Sequence, residues 1–142
     1  MKIVELKTKE ELLMGYPLVI KLYPDLSLFE YEKQLDVMLP RNYSMLAVYD
    51  RGEIIGLSGI WIGHKLWCGK YMELDNVVVA QSERSKGVGA MMFDYAKKLA
   101  KQKSCASIGL DAFTYNHAAH KFFFKEDFIV KGYHFVHTLD MG

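Results

Sequence analysis

Cystine is what this sequence most plainly does without. Cys68 and Cys105 are its two cysteines, and their surroundings resemble neither a disulfide framework nor a metal-binding pair, so both are read as free thiols. An excess of either charge is missing as well: 18 basic against 17 acidic residues leave a net charge of +1. That balance argues against a broad nucleic-acid or anionic-membrane surface, and any affinity for phosphate has to be local. No apolar run approaches the ~20 residues of a membrane span, and the opening Met1-Lys2-Ile3-Val4-Glu5 alternates charged with apolar groups instead of forming a signal core. The expected location is cytoplasmic, with no membrane partner. Repeats, linkers and low-complexity segments are absent too, so one domain over residues 1–142 is expected. With 51% of its residues hydrophobic, a domain of this length can bury a core without a metal or disulfide staple.

What the chain does have is concentrated in residues 71–100, YMELDNVVVAQSERSKGVGAMMFDYAKKLA. Asn76-Val77-Val78-Val79 is β-branched and apolar enough for an interior strand, and a period of two puts Glu73, Asp75, Val77 and Val79 on one face. Polarity then flips. Residues 81–86 make an anion-attracting turn, Gly87 and Gly89 let backbone approach a ligand, and residues 90–100 repeat apolar side chains at helical spacing, with Met91, Met92 and Phe93 as helix core. The first turn of a helix has unpaired N–H groups and a partial positive charge, so a diphosphate can be held there by backbone amides. Arg84 and Lys86 add charge. The bland alternative is a solvated basic turn ahead of an ordinary helix. A P-loop would need Gly-Lys-Ser/Thr at its end, whereas Lys86 precedes Gly87 and Ala90 follows Gly89. A dinucleotide fingerprint finds an acidic residue, Asp111, about 20 residues after Gly89, but Met92 replaces its third glycine. A nucleotide-binding domain built on the same turn stays open.

Arg84-Ser85-Lys86-Gly87-Val88-Gly89-Ala90, placed after a hydrophobic strand, resembles the (Q/R)-x-x-G-x-(G/A) motif of the GNAT superfamily of N-acetyltransferases. The resemblance implies acetyl-CoA as acyl donor, with its pyrophosphate on Arg84, Ser85, Lys86, Gly87, Val88, Gly89 and Ala90. It also implies that backbone groups of Val77, Val78 and Val79 pair with the pantetheine arm and hold the thioester carbonyl. The fold it implies is α/β (α+β): a mixed, mostly antiparallel sheet with a splayed parallel pair of central strands, helices on both faces, and the cofactor entering the wedge between the fourth and fifth strands.

The rest of the chain reads in the same order. Residues 3–7 alternate like a strand, and Thr8 with Glu11 looks like a capping box opening a helix to about residue 22, which Pro17 kinks or splits. Ser27 caps a second helix over 28–39, stopped by Pro40. Strands are expected at 44–49 and 53–63, joined by the turn Asp50-Arg51-Gly52. The central strand follows, then a helix over 87–102, a fifth strand around 106–112, a short helix over 117–125, and a last hairpin over 128–133 and 135–139. A homodimer through those last strands is an open reading.

Asn116-His117-Ala118-Ala119-His120-Lys121-Phe122-Phe123 resembles the family's second signature, N-x-x-A-x-x-(F/L)-Y. It implies Asn116 as a pantetheine ligand, although Asn is also a good helix N-cap, and both can hold. Phe123 stands where the family commonly carries the Tyr that protonates the departing thiolate, and phenylalanine cannot donate a proton. A thiol of ordinary pKa leaves as thiolate at pH 7 at a cost of only about 2 kcal/mol, so transfer survives that loss; water, Tyr115, Tyr133 or His117 are substitutes. The acceptor is costlier. A primary amine of pKa about 10.4 needs roughly 4.6 kcal/mol to be neutral at pH 7, and Glu73 or Asp75 is the candidate base, with pairing to a neighbour as the structural alternative. Trp61, Trp67, Tyr71, Phe29 and Tyr31 are candidates for an acceptor pocket or for core packing. His117 and His120 could share a helix face, but His134 and His137 in a strand would face oppositely and no H-E-x-x-H pattern exists, so no metal is expected. The expected activity is direct transfer of an acetyl group from acetyl-CoA to a primary amine of a small molecule or peptide in a ternary complex. The alternative is a non-catalytic acyl-CoA sensor, which Phe123 favours.

Overall fold

The computed structural model describes residues 1–84 and 86–140, and the chain divides into two compact units, Met1–Leu110 and Asp111–Gly142. The first unit runs β1 (Lys2–Leu6), α1 (Lys9–Leu13), α2 (Tyr16–Leu22), α3 (Leu28–Met38), β2 (Tyr43–Asp50), β3 (Glu53–Lys65), β4 (Gly69–Val79), α4 (Val88–Gln102) and β5 (Ser107–Leu110). Its sheet has the order β1-β2-β3-β4-β5; the first three pairings are antiparallel and β4 with β5 is parallel. This is the mixed sheet the sequence leads one to expect.

Local chemistry sets the element ends. The Thr8 hydroxyl accepts from Glu11 N–H at 3.2 Å while the Glu11 carboxylate accepts from Thr8 N–H at 3.0 Å, a complete capping box. Ser27 caps α3 by accepting from Glu30 N–H. The split expected at Pro17 falls at Gly15 instead, where a Cβ would lie 2.8 Å from a Leu57 methyl; Pro17 sits in the first turn of α2, which needs no N–H from it. Arg51 and Gly52 both have positive φ, 53° and 79°, and turn the β2–β3 hairpin tightly.

The two faces of the sheet are told apart by successive residues of β3. Leu57 joins Leu12, Leu18, Val19, Tyr31 and Leu35 in the core beneath α1, α2 and α3. Gly56, one residue back, faces the other way, where a Cβ would meet Val88 and Met92 of α4 at 2.9 and 3.3 Å. Helices therefore cover both faces, and β4 is interior to the sheet.

β4 is not regular. Gly59 pairs with Asp75 but Leu57 pairs with Val78, so Ser58 alone stands opposite Asn76 and Val77. This is a bulge, and Asn76 absorbs it with a φ of 52°. The extra residue reverses the facing of everything beyond it. Glu73 and Asp75, opposite Trp61 and Gly59, lie on the same face as Leu57 and Val78, whereas Val77 and Val79 lie on the α4 face with Gly56. The single face expected for Glu73, Asp75, Val77 and Val79 is thus corrected, because strict alternation assumes an unbroken ladder.

The second unit holds α5 (His117–Lys125), capped by Asn116. The expected hairpin is not formed: residues 128–140 contain neither helix nor strand, and Tyr133 and Phe135 are 81% and 91% exposed. Apolar alternation marks a tendency, but a strand exists only when a second strand takes up its N–H and C=O groups.

Candidate active site

The parallel ladder between β4 and β5 spans Tyr71 to Leu74 on one strand and Ser107 to Leu110 on the other, and stops there. Beyond Leu74, β4 continues through Asp75, Asn76 and the three valines paired to β3 alone. Ala80 N–H donates to the Ile55 carbonyl at 2.8 Å, so by the alternation of an antiparallel ladder Val79 turns its N–H to the edge of β4 away from β3. Val78 carries a buried side chain into the α1–α3 core. An open strand edge with outward N–H groups can pair with an amide-bearing chain laid alongside it.

A short 3₁₀ turn, Gln81–Glu83, then leads to α4. Gly87 is the N-cap of α4 at φ 80°, and a Cβ there would meet nothing within 4 Å, so glycine is required by backbone conformation and not by space. Without a capping side chain, the first N–H groups of this 15-residue helix have no side-chain acceptor at the cap. Val88 is fully buried against β3, which leaves it only backbone to offer; Gly89 and Ala90 are half-buried in the first turn. Arg84 is exposed, and Lys86 pairs with Glu83 at 3.3 Å. Ser85 lies outside the described residues. Beside the turn is a hollow of about 400 Å³ lined by Asp50, Arg51, Glu53, Ile55, Glu83 and Lys86.

On the α1–α3 face, Glu73 lies at the seam of the parallel pair: a Cβ on its β5 partner Gly109 would stand 3.0 Å from the Glu73 carboxylate. Glycine at that position makes room for the acid. Asp75 is exposed and held by two donors, the Trp61 indole N–H at 3.2 Å and the Asn76 N–H at 2.9 Å. Around it stand groups that no motif or spacing in the chain points to. The Tyr23 hydroxyl donates to Asn76 Oδ1 at 2.5 Å, and Asn76 Nδ2 donates to the Tyr43 hydroxyl at 3.4 Å. Tyr43 in turn packs on Trp61, ring centroids 4.6 Å apart. Burial pushes the Tyr43 phenol well above its ordinary range; the Asn76 bond opposes this and the Asp75 charge adds to it. Tyr23 is also raised, first by burial and then by Asp75. Of the other aromatic candidates, Tyr71 lies over Gly63 on this face, Tyr31 is buried with its hydroxyl on the Leu12 carbonyl, and Trp67 and Phe29 are exposed.

Tyr115, Asn116 and Phe123 belong to the second unit. Asn116 Oδ1 accepts from Ala119 N–H at 3.2 Å, the N-cap role open to it from the sequence. Tyr115 is exposed and stacks on Phe113 at 5.3 Å, and Phe123 packs near Phe122 and Phe128. His117 and His120 meet edge to face at 5.9 Å, with His120 Nε2 2.9 Å from the Phe113 carbonyl.

A strand edge that opens where its parallel neighbour stops, followed at once by a helix with glycine as its N-cap, is the arrangement that the motif's resemblance to the GNAT superfamily implies. The sequence model of the acetyltransferase (GNAT) family matches residues 7–128, and the chain belongs to that family. An uncharacterised N-acetyltransferase of Bacillus subtilis (strain 168), YhdJ, is 27% identical over 133 residues, covering 92% of this chain and 94% of its own. Among solved structures, an aminoglycoside 6'-N-acetyltransferase from Acinetobacter haemolyticus in its apo form has a TM-score of 0.80 at 22% identity, covering 99% of this chain and all of that one. The ribosomal-protein-alanine N-acetyltransferase of Brucella melitensis has a TM-score of 0.83 at 16% identity, covering 98% and 100%. A second aminoglycoside N-acetyltransferase, solved in complex with CoA, has a TM-score of 0.81 at 15% identity, covering 97% and 95%. Among the described residues, no helix is long and apolar enough to cross a membrane.

Proposed function

We propose that this acetyltransferase takes its acetyl group from acetyl-CoA and passes it directly to a primary amine in a ternary complex, with residues 1–142 acting as one domain. The observation that carries the reading is the open edge of β4 followed by the N-terminus of α4, whose N-cap Gly87 offers no capping side chain. Backbone N–H groups of Val77 and Val79 bond the pantetheine and polarise the thioester carbonyl, with Val78 as the residue that anchors the strand between them. One such donor contributes about 3 to 4 kcal/mol to the transition state of acyl transfer. The amides from Gly87 to Ala90 hold the pyrophosphate, and Arg84, Ser85 and Lys86 supply the polar and cationic contacts around it. Lys86 exchanges Glu83 for phosphate when the cofactor enters. The likeness of residues 116–123 to the family's second signature is what supports Asn116 and Phe123 as pantetheine ligands, with Tyr115 or water as the source of a proton for the thiolate.

Of the two carboxylates, Glu73 is assigned as general base because it stands at the β4–β5 seam, opposite Gly109 of β5. Titration calorimetry with acetyl-CoA, CoA and ATP, followed by thiol release on adding amines, tests the reading. Acetyl-CoA binding with amine-dependent thiol release is expected, and Glu73→Gln should lower kcat by about a hundredfold while leaving acetyl-CoA affinity within about twofold. ATP binding without CoA competition would instead support a nucleotide-binding domain.

A further inference from the structure

The acceptor face of β3 and β4 has a chemistry of its own. On β4 three successive positions of the α1–α3 face are Tyr71, Glu73 and Asp75, and their β3 partners are Gly63, Trp61 and Gly59. Tyr43 closes this strip from β2, and Tyr23 reaches it from the end of α2 through Asn76. The strip therefore combines two carboxylates with aromatic side chains: Tyr71 on β4, Trp61 on β3 packed on the buried Tyr43, and Tyr23. One ammonium is already seated on it: Lys65 Nζ stands 5.1 Å over the Tyr71 ring, as cations do on aromatic faces. Asp75 uses one N–H on each oxygen, and a carboxylate oxygen can accept a second.

We infer that the acceptor is a small diamine, one nitrogen delivered to the base Glu73 and the other held by Asp75 among the Trp61, Tyr43 and Tyr23 rings. The spacing sets the size. Residues two apart on one face of a strand are separated by about 6.6 Å. An extended chain advances about 3.5 Å per three bonds, so the five bonds between the nitrogens of butane-1,4-diamine span about 6 Å. A monoamine of the same length fills the strip but leaves Asp75 without its cation. This inference rests on the proposed transfer from acetyl-CoA. In the transfer, the reacting ammonium gives one proton to Glu73, the freed lone pair forms the bond to the acetyl carbon, the carbon–sulfur bond breaks, and the second proton the nitrogen loses passes through water to the departing thiolate, leaving the amide and CoA thiol.

The test compares thiol release from acetyl-CoA with butane-1,4-diamine and with butylamine, in the parent protein and in Asp75→Asn, after calorimetry with acetyl-CoA alone. Charged hydrogen bonds of this kind correspond to a preference of about ten- to a hundredfold. The diamine should therefore exceed the monoamine by at least about tenfold in kcat/KM, and Asp75→Asn should abolish that ratio by lowering the diamine value alone. Equal turnover of both amines, or an equal loss with both in Asp75→Asn, overturns the inference and leaves the transferase standing. Acetyl-CoA binding without thiol release from either amine also overturns it. Absence of acetyl-CoA binding overturns the underlying reading and this inference together. If Asp75→Asn fails to fold, the ratio measured on the parent protein decides.

Discussion

Replacing Gly56 by alanine is expected to loosen the first turn of α4 from the sheet. A Cβ at Gly56 would sit 2.9 Å from a Val88 methyl and 3.3 Å from the Met92 sulfur, where ordinary contact starts near 3.4 Å. Val88 is 1% exposed and β-branched, with one strongly preferred rotamer in a helix, so it cannot rotate aside. The helix itself has to move, by roughly half an ångström. Overpacking of this kind costs about 1–3 kcal/mol, and exchanging glycine for alanine within a strand returns about 0.5–1 kcal/mol. The net loss is then about 0–2.5 kcal/mol, or up to about 10 °C in Tm for a chain of this size. Acetyl-CoA affinity should fall as well, since Val88 opens the helix proposed to hold the pyrophosphate. Thermal unfolding by circular dichroism and calorimetry with acetyl-CoA read the two effects, in Gly56→Ala, Val88→Ala and the double variant. In the Val88→Ala background the added methyl should cost little or nothing. A Gly56→Ala change whose effect on stability is the same when residue 88 is alanine refutes the reasoning.

Three further outcomes follow from particular contacts. Gly87→Ala meets no steric neighbour, so its cost is the left-handed backbone alone, about 1–2 kcal/mol, with weakened acetyl-CoA binding; a calorimetric titration matching the parent would contradict the role of that turn. Tyr43 has a raised pKa in the folded protein, which therefore holds the phenolic proton more tightly than the unfolded chain does. Its contribution is complete below about pH 10 and is lost as pH rises above that, at about 1.4 kcal/mol per pH unit. Urea unfolding between about pH 9 and 11 should fall more steeply for the parent than for Tyr43→Phe, and identical slopes would rule this out. Thr8→Ala removes the acceptor for Glu11 N–H and should cost about 1 kcal/mol, with Thr8→Ser recovering most of it in the same denaturation assay.

Phe123 and the acceptor strip bear differently on catalysis. A missing thiolate acid at Phe123 leaves a step of about 2 kcal/mol, whereas neutralising the amine requires about 4.6 kcal/mol. The larger demand falls on the proposed base, Glu73, which has a glycine opposite its carboxylate on β5. Glu73→Gln should therefore slow thiol release more than Phe123→Tyr speeds it.

Signals that depend on a few consecutive residues are legible in the sequence itself. The caps at Thr8 and Ser27, the Arg51-Gly52 turn, the helix behind Gly87 and the cap at Asn116 each need only local hydrogen bonds or one glycine dihedral, and the motif from Arg84 to Ala90 carries the family with it. The break at Gly15 and the absent hairpin at 128–140 are not legible there, since one answers to Leu57 across the core and the other to a partner strand. Sequence alone determined the order of elements in the first unit, the family and the candidate acids. Tertiary structure alone decided which way they face: pairing with β3 inserts a bulge at Asn76, sets Val77 and Val79 on the face opposite Glu73 and Asp75, and brings Tyr23 and Tyr43 to Asn76 from 53 and 33 residues away. A bulge is a mismatch between two strands, and neither strand's own sequence contains it.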